Sequence, residues 1–193
     1  TGEWLMAKGP NSDIVISSRI RLARNLNNFP FTNRANKKES SEILSLVKKS
    51  IETGDYLKDS LILNMADLNN VDRQFLLERH LISREHTLEP DSKAVVIGER
   101  EVSAIMINEE DHLRIQVVQS GFNLREAWVL IDKIDNELAQ KLDFAFSPVW
   151  GYLTACPTNT GTAMRASVML HLPSLVMTKQ INRVLQAITK LML

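Results

Sequence analysis

Two arginines separated by one residue form the first group of side chains that could take part in binding or catalysis. Arg19 and Arg21 lie in the segment Ser17-Ser18-Arg19-Ile20-Arg21, and Arg24 follows. On a strand, alternate residues project from one face, so the two guanidinium groups lie a few ångströms apart. An anion with several oxygens, such as polyphosphate, relieves their repulsion because each guanidinium offers paired N–H donors. The alternative is a solvated strand face with carboxylate partners elsewhere, and this segment alone favours that alternative.

Three consecutive carboxylates form the second group. Glu109, Glu110 and Asp111 lie between an apolar run and the alternating segment 112–118. Acidic turns are usually solvated. Carboxylates at the ends of buried strands, however, tend to line a crevice. There a carboxylate can bind a metal ion, align a cationic substrate or take a proton from a nitrogen nucleophile.

The single cysteine lies in a loop rich in hydroxyl groups. Cys156 opens the stretch Cys-Pro-Thr-Asn-Thr-Gly-Thr, and Arg165 follows. Free cysteines are more often buried and inert than reactive. This loop is poor core material, and nearby cations stabilise a thiolate. No histidine is placed to form a Cys–His pair, so acyl transfer is disfavoured.

The remaining residue types argue against two other kinds of site. His80, His86, His112 and His171 show no metal-ligand spacing, so no protein-bound metal is predicted. The seven glycines are scattered and form no phosphate-binding loop. A nucleotide would therefore be held by arginine side chains.

The composition is that of an ordinary globular chain. The 193 residues carry 23 basic and 23 acidic side chains, and this balance disfavours a general nucleic-acid binder. No apolar run is long enough to span a bilayer, and one cysteine indicates a reducing compartment. The sequence starts at Thr1 and ends at Leu193 inside an apolar pattern, so we expect a fragment.

Periodicity predicts an α+β fold with a largely antiparallel sheet flanked by helices. We expect one domain over residues 1–193, incomplete at its C-terminus. Phe75 and Trp128 are predicted to face the core, and Ser40 or Ser41 to cap a helix of about a dozen residues. The other predicted elements are strands at 13–22, 94–97, 102–107, 112–118, 151–154 and 165–172, and helices at about 70–81, 123–142 and 175–191.

Together the three groups resemble the motifs of the phosphagen (guanidino) kinase family. The segments 17–21, 108–114 and 156–159, with Arg165-Ala166, match those motifs in order. The segments 21–25, 79–83 and 165–173 are similar to the bacterial branch that phosphorylates arginine side chains in proteins. Only 16 residues precede the segment Ser17–Arg21, whereas small-metabolite kinases of the family carry a helical domain there.

The resemblance implies a role for each matching residue. Glu110 would orient and deprotonate a guanidinium nucleophile, and Cys156 would lie beside that guanidinium. The family usually has glycine where this chain has Ala163, and a later Arg-Gly-rich segment that completes the ATP site is absent. The piece alone is therefore expected to be a weak or inactive kinase. ATP, with its Mg²⁺, would be held by Ser17, Ser18, Arg19, Ile20, Arg21, His80, Arg114, Arg165, Ala166, Ser167, Val168 and Met169.

The implied function is ATP-dependent phosphorylation of protein arginines in the bacterial stress response and protein quality control, in the cytoplasm. The alternatives are a kinase of a small guanidino metabolite and a catalytically inactive module that binds nucleotide or a partner. The resemblance implies protein substrates with exposed arginines, including a heat-shock repressor, together with a zinc-binding activator and an ATP-dependent protease. Neither nucleic acid nor a membrane is expected as a partner, and the oligomeric state, with a homodimer as one candidate, is left open.

Overall fold

An antiparallel sheet of six strands forms the centre of the protein in the computed structural model, which describes residues 2–191. Numbered along the chain, the strands are β1 (Val15–Arg24), β2 (Leu61–Asn64), β3 (Ala94–Ile97), β4 (Ser103–Ile107), β5 (Leu113–Ser120), β6 (Phe146–Ser147), β7 (Gly151–Tyr152) and β8 (Met164–Leu170). The sheet order is β2-β3-β4-β5-β1-β8, and β6 pairs with β7 in a separate hairpin. Every neighbouring pair runs antiparallel.

Five α-helices accompany the sheet in the described residues. They are α1 (Lys37–Glu52), α2 (Asn70–Glu78), α3 (Leu124–Ala139), α4 (Pro173–Met177) and α5 (Ile181–Leu191). The predicted α+β class with a largely antiparallel sheet is confirmed. Within residues 2–191, none of the helices has the length and apolar character needed to cross a membrane.

One face of the sheet carries the main core. Side chains alternate between the two faces of a strand, so Ile20 and Leu22 of β1 lie on the same side as Ile115 of β5. Helices α1 and α3 cover this face. The fully buried side chains there include Ile43, Ile51, Ile105, Ile107, Leu113, Ile131, Ile134 and Leu138.

The opposite face has an apolar end and a polar end. A single row of paired residues crosses it from β2 to β8, in the order Leu61, Ile97, Ala104, Gln116, Arg21 and Arg165. At the β2 end, α2 and the loop after it build a second core on this face, which includes Met65, Leu76, Leu81, Val95 and Met106. At the β1 and β8 end, arginines take the place of apolar residues.

Helix α1 begins earlier than the sequence pattern predicts. The Asn36 side chain accepts hydrogen bonds from the backbone N–H groups of Lys38 and Glu39, and the Glu39 carboxylate accepts one from the Asn36 N–H. This reciprocal cap satisfies the free N–H groups of the first turn. The predicted caps, Ser40 and Ser41, lie inside the helix instead.

Two aromatic residues predicted to face the core are exposed. Phe75 is 56% exposed because α2 buries only Leu76 completely against the sheet. Trp128 is 42% exposed because the buried row of α3 runs through Ala127 and Ile131, and Trp128 lies about 100° around the helix from Ala127.

The predicted C-terminal helix is two helices. Lys179 has a φ of 57°, in the left-handed region, and so separates α4 from α5. The alternation in the predicted strand 13–22 also places Ile14 on the core face with Ile20 and Leu22. Ile14 is instead 48% exposed, and it precedes a register shift between Val15 and Ser17 in the pairing of β1 with β8. The sequence pattern missed β2 and β6, which are four and two residues long.

Candidate active site

Four arginines meet on the polar end of the second face. Arg21 of β1 pairs with Arg165 of β8, and Arg19 lies two residues before Arg21 on the same face. On the other side of β1, Ala23 pairs with Arg114 of β5. Antiparallel pairing thus brings together arginines that are far apart in sequence.

Burial and mutual repulsion make this arginine cluster electrostatically unfavourable. Burial lowers the pKa of Arg21 to about 10, with further lowering by the charges of Arg19, Arg114 and Arg165 and a smaller opposing effect of Glu109. Burial and the charges of Arg114 and Arg165 also lower the pKa of Arg19. Of the four, only Arg114 has an ion pair within residues 2–191, and the buried Arg21 Nε has no hydrogen-bond partner there. A polyanion would relieve this repulsion.

Two adjoining cavities lie over these strands. The larger, which we call the cleft, has a volume of about 440 Å³ and is lined by Arg21, Glu110, Arg114, Arg165 and the loop 158–164. The smaller, the side pocket, has a volume of about 220 Å³ and is mostly apolar. Its lining residues are Trp4, Ser17, Arg19, His80, Val118, Ser167, Val168 and Met169.

The three carboxylates of the acidic turn have different surroundings. Glu109 is buried and accepts hydrogen bonds from the Ser83 hydroxyl at 2.6 Å and from Arg114 Nη1 at 2.9 Å. Its burial raises its pKa, but hydrogen bonds from Ser83 and the Glu110 N–H, with the Arg114 charge, outweigh this effect and lower it. Asp111 is also buried and accepts from the Asn25 side chain at 2.6 Å.

Glu110 is the exposed carboxylate of this turn, and it lines the cleft together with the buried Asp111. The Glu110 carboxylate has no hydrogen-bond or ion-pair partner among the described residues. Partial burial raises its pKa, and the charges of Asp111 and Glu109 raise it further. A raised pKa makes a carboxylate a better proton acceptor.

The cysteine loop is attached directly to the acidic turn. Asp111 accepts a hydrogen bond from the Ala155 backbone N–H at 2.8 Å, so the residue before Cys156 is fixed to the residue after Glu110. The Cys156 thiol lies 3.0 Å from the Thr158 hydroxyl and is half-buried. The two predicted catalytic residues therefore lie on neighbouring, mutually bonded segments.

The strand geometry divides the predicted nucleotide-binding set between the two faces of the sheet. Ser18 and Ile20 lie on the core face, so their side chains point away from the cleft. The Ser18 hydroxyl donates to the Gly121 carbonyl at 2.8 Å and accepts from the Asn123 N–H at 2.9 Å. Ala166 pairs with Ile20 and shares its face, so only backbone atoms of these residues can border the cleft.

Arg24, which follows this motif in the sequence, belongs to the core face rather than to the arginine cluster. It is 3% exposed, and its Nε and Nη2 donate to Asp135 at 3.0 and 2.7 Å. Its guanidinium lies 3.5 Å from the centre of the Tyr152 ring. Asp135 was missed in the sequence, although a carboxylate on the apolar stripe of α3 is a signal of a buried ion pair.

Ala163 has the backbone conformation that favours glycine. Its φ is 50°, it is buried, and its carbonyl accepts a hydrogen bond from the Ala23 N–H at 2.9 Å. The left-handed conformation strains a residue with a Cβ atom. The methyl group fits beside the cleft, so this departure from the family pattern is accommodated at the cost of backbone strain.

Comparison with known proteins assigns the family. The profile described as "ATP:guanido phosphotransferase, C-terminal catalytic domain" matches residues 42–193. The chain belongs to this family. It is 49% identical over 187 residues to the protein-arginine kinase of Halothermothrix orenii, covering 97% of this chain and 53% of that protein. It is 46% identical over 193 residues to the protein-arginine kinase of Desulforamulus reducens, covering 98% of this chain and 54% of that one.

The chain thus spans about half the length of the curated relatives it matches. Among solved structures, the duplicated taurocyamine kinase of Schistosoma mansoni with bound transition-state analogue components has a TM-score of 0.82 at 24% identity, covering 92% of this chain and 26% of that one. Lombricine kinase has a TM-score of 0.76 at 23% identity, covering 85% of this chain and 50% of that one. These likenesses show the guanidino-kinase fold.

Proposed function

We propose that this chain forms the greater part of the catalytic site of a bacterial protein-arginine kinase, which transfers the γ-phosphoryl group of ATP to an arginine side chain of a protein. One observation carries the proposal. Two arginines without ion-pair partners in the described residues, Arg21 and Arg165, line the same cleft as Glu110, whose carboxylate is also unpartnered there. Arg19, likewise without an ion pair in those residues, lies two residues before Arg21 on the same face. The names of the bacterial relatives support a protein arginine as the acceptor.

The two cavities suit the two ends of ATP. The side pocket offers the Trp4 and His80 rings, whose centres are 5.5 Å apart, and apolar surface for a base. The arginines of the cleft offer paired donors for the phosphate oxygens. Mg²⁺, when bound to those phosphates, neutralises further charge, and we propose that it enters with the nucleotide.

Phosphoryl transfer then depends mainly on positioning. An arginine nitrogen attacks the γ-phosphorus while the bond to the β–γ bridging oxygen breaks, and ADP leaves with that electron pair. A guanidinium stays protonated at neutral pH and is a poor nucleophile until it loses a proton. In this proposal the Glu110 carboxylate accepts that proton and aligns the planar group through paired hydrogen bonds. Cys156 would lie beside the guanidinium.

The Glu110→Gln variant tests this proposal. We expect it to lower the rate of phosphoarginine formation on unfolded casein by about 10²–10⁴-fold, the usual contribution of a general base. Glu42→Gln, which changes an exposed carboxylate of α1, is the control and is expected to be neutral. The assay uses Mg-ATP and neutral or basic pH, because the P–N bond is labile in acid. It compares this chain with a form extended to the length of the relatives, in which we expect the higher rate.

Two outcomes would contradict the proposal. Labelling of free arginine or creatine in place of casein would indicate a small-metabolite kinase. ATP binding without labelling of any acceptor would indicate a module that only binds nucleotide.

The biological setting remains part of the proposal. We infer a cytoplasmic role in stress response and protein quality control, on the strength of the bacterial relatives alone. The heat-shock repressor, the zinc-binding activator, the ATP-dependent protease and a homodimer stay predictions.

A further inference from the structure

A third cavity, larger than the cleft and the side pocket, lies at the apolar end of the face that carries the cleft. This groove has a volume of about 710 Å³, and its floor includes Leu61 and Leu63 of β2, Phe75 and Leu76 of α2, and Ile97 of β3. Leu61 is 57% exposed and Phe75 is 56% exposed. Single exposed apolar side chains are ordinary, but apolar side chains grouped in a concave surface indicate a binding site.

The groove borders an open sheet edge. β2 is the outermost strand and pairs only with β3, so its other side presents unpaired backbone N–H and C=O groups in the part of the chain that the structure describes. Leu61 and Leu63 pair with Ile97 and Val95, so both leucines point to the groove side. An extended peptide can pair with such an edge and place every second side chain in the adjoining groove.

The rim of the groove is acidic. Four carboxylates, Asp59, Asp72, Glu99 and Glu101, line it together with one arginine, Arg100, which pairs with Glu99 at 3.6 Å. Glu101 is neutralised by Arg79, whose Nε donates to the Glu101 carboxylate at 2.9 Å. Asp59 and Asp72, in contrast, have no ion-pair partner within residues 2–191. One face of the sheet therefore carries a cationic site for a polyanion and an acidic site at its other end. The second site suits a segment that is both apolar and cationic.

We propose that the groove binds an extended, apolar segment of a protein substrate that carries arginine or lysine, added as a strand to the open edge of β2. That the bound protein is a substrate rests on the proposed function. The peptide site itself rests on the groove, the open edge of β2 and the acidic rim. Docking there raises the effective concentration of target arginines at the cleft.

The geometry fixes the expected spacing. Leu61 and Arg21 lie in the same cross-strand row, four strand spacings apart. A strand added outside β2 lies one spacing further out, so it is about 24 Å from Arg21 at 4.8 Å per spacing. An extended chain covers that distance in about seven residues, so the target arginine is expected at least about seven residues from the docked segment.

Fluorescence anisotropy tests the peptide site. The probe is a fluorescein-labelled peptide of alternating valine and lysine, which cannot be phosphorylated on arginine, added to the chain with saturating Mg-ATP. We expect saturable binding that weakens at least tenfold in Phe75→Ser and in Asp72→Lys. Tyr56→Ser, which removes a comparably exposed aromatic ring elsewhere, is the matched control and is expected to bind normally. Normal binding by both groove variants would overturn the proposal.

Kinetics in the extended form test the link to catalysis. Phe75→Ser is expected to raise KM for casein at least tenfold and to leave kcat, and turnover of a short arginine peptide without apolar residues, unchanged. Glu110→Gln is expected to lose phosphorylation while keeping probe binding. If no form phosphorylates protein but the probe binds as described, the proposed function fails and the peptide site stands.

Two further results would assign a different occupant to the groove. Probe binding by the 193-residue chain but not by the extended form would show that the rest of the polypeptide fills the groove. Dimerisation in sedimentation velocity that Phe75→Ser abolishes would show that a second copy fills it. Either result overturns the proposal.

Discussion

At the residue scale, Glu109 is expected to contribute to stability and the neighbouring Glu110 to activity. Glu109 is buried with Ser83 and Arg114, whereas the Glu110 carboxylate has no partner in the described residues. We expect Glu109→Gln to lower the free energy of unfolding by about 1–3 kcal/mol, because it leaves the charge of Arg114 without its carboxylate. Glu110→Gln is expected to stay within about 0.5 kcal/mol of the unaltered chain. Urea unfolding measures both, and equal losses would contradict the assignment.

Arg21 is expected to destabilise the free protein and to contribute to nucleotide binding. Its guanidinium is repelled by three neighbours, and its buried Nε lacks a partner in the described residues. With its partial exposure to solvent taken into account, Arg21→Met is expected to raise the free energy of unfolding by about 1 kcal/mol. The same change is expected to weaken ATP binding at least tenfold. Arg125→Met, at an exposed position on α3, serves as the control in urea unfolding and calorimetric titration, and a destabilised Arg21→Met would refute the argument.

At the element scale, His86, in the segment between α2 and β3, makes the stability of the fold sensitive to acid. The side chain is fully buried beside β3, with Nε2 3.0 Å from the Ala94 carbonyl oxygen, and burial lowers its pKa to about 4. Between pH 6.5 and 4 the unfolded chain binds the proton and the folded chain does not, so stability falls as the pH falls. We expect a loss of about 2 kcal/mol between pH 7.5 and 5. Burial lowers the pKa of His112 as well, so His112 also lowers the stability of the fold as the pH falls.

Chemical denaturation at the two pH values checks this expectation. His86→Gln is expected to lose less stability on acidification than the unaltered chain. His171→Gln, at an exposed position, is expected to lose as much as the unaltered chain. An unchanged loss in His86→Gln would assign the acid sensitivity to other groups.

Strand β1 shows what the sequence can and cannot predict about the candidate site. Alternation predicted that Arg19 and Arg21 share a face, and the register confirms this. The same alternation assigns Ser18 and Arg24 to the other face, where they bond to Gly121 and Asp135. The sequence motif 17–21 therefore contributes side chains to both faces of the sheet, and only alternate residues can present theirs to the cleft.

The elements that the sequence did not predict depend on particular contacts. Helix α1 is capped by the hydrogen bonds of Asn36. The break between α4 and α5 depends on the left-handed backbone conformation of Lys179. Strand β2 is four residues long and is identified by its pairing with β3 rather than by its own periodicity. Long periodic segments such as α3 were predictable because burial of an apolar stripe dominates their energetics.

At the scale of the whole molecule, a net charge of zero conceals a strongly uneven distribution. Arg19, Arg21 and Arg165 lie together without ion-pair partners in the described residues, and of this cluster only Arg114 is paired, with Glu109, so a polyanion should stabilise the fold. A ligand at 100 times its Kd adds about 2.7 kcal/mol. For a chain of this size that gain raises Tm by about 5–10 °C.

Thermal unfolding with sodium tripolyphosphate tests this expectation without any enzymatic activity. Sodium chloride at equal ionic strength is the control, and it should raise Tm much less. Arg21→Met should lose most of the shift caused by tripolyphosphate. The same shift in Arg21→Met and in the unaltered chain would place the anion elsewhere.

The position of Trp4 gives the protein its own optical reporter. Its indole is 9% exposed and forms a wall of the side pocket beside His80, whereas Trp128 and Trp150 are 42% and 68% exposed. Emission from the two outer tryptophans is open to quenching by iodide in solution, and emission from Trp4 is shielded. With iodide present, the remaining fluorescence comes mainly from the wall of the side pocket. Entry of a base into that pocket would then be visible in real time, without any label.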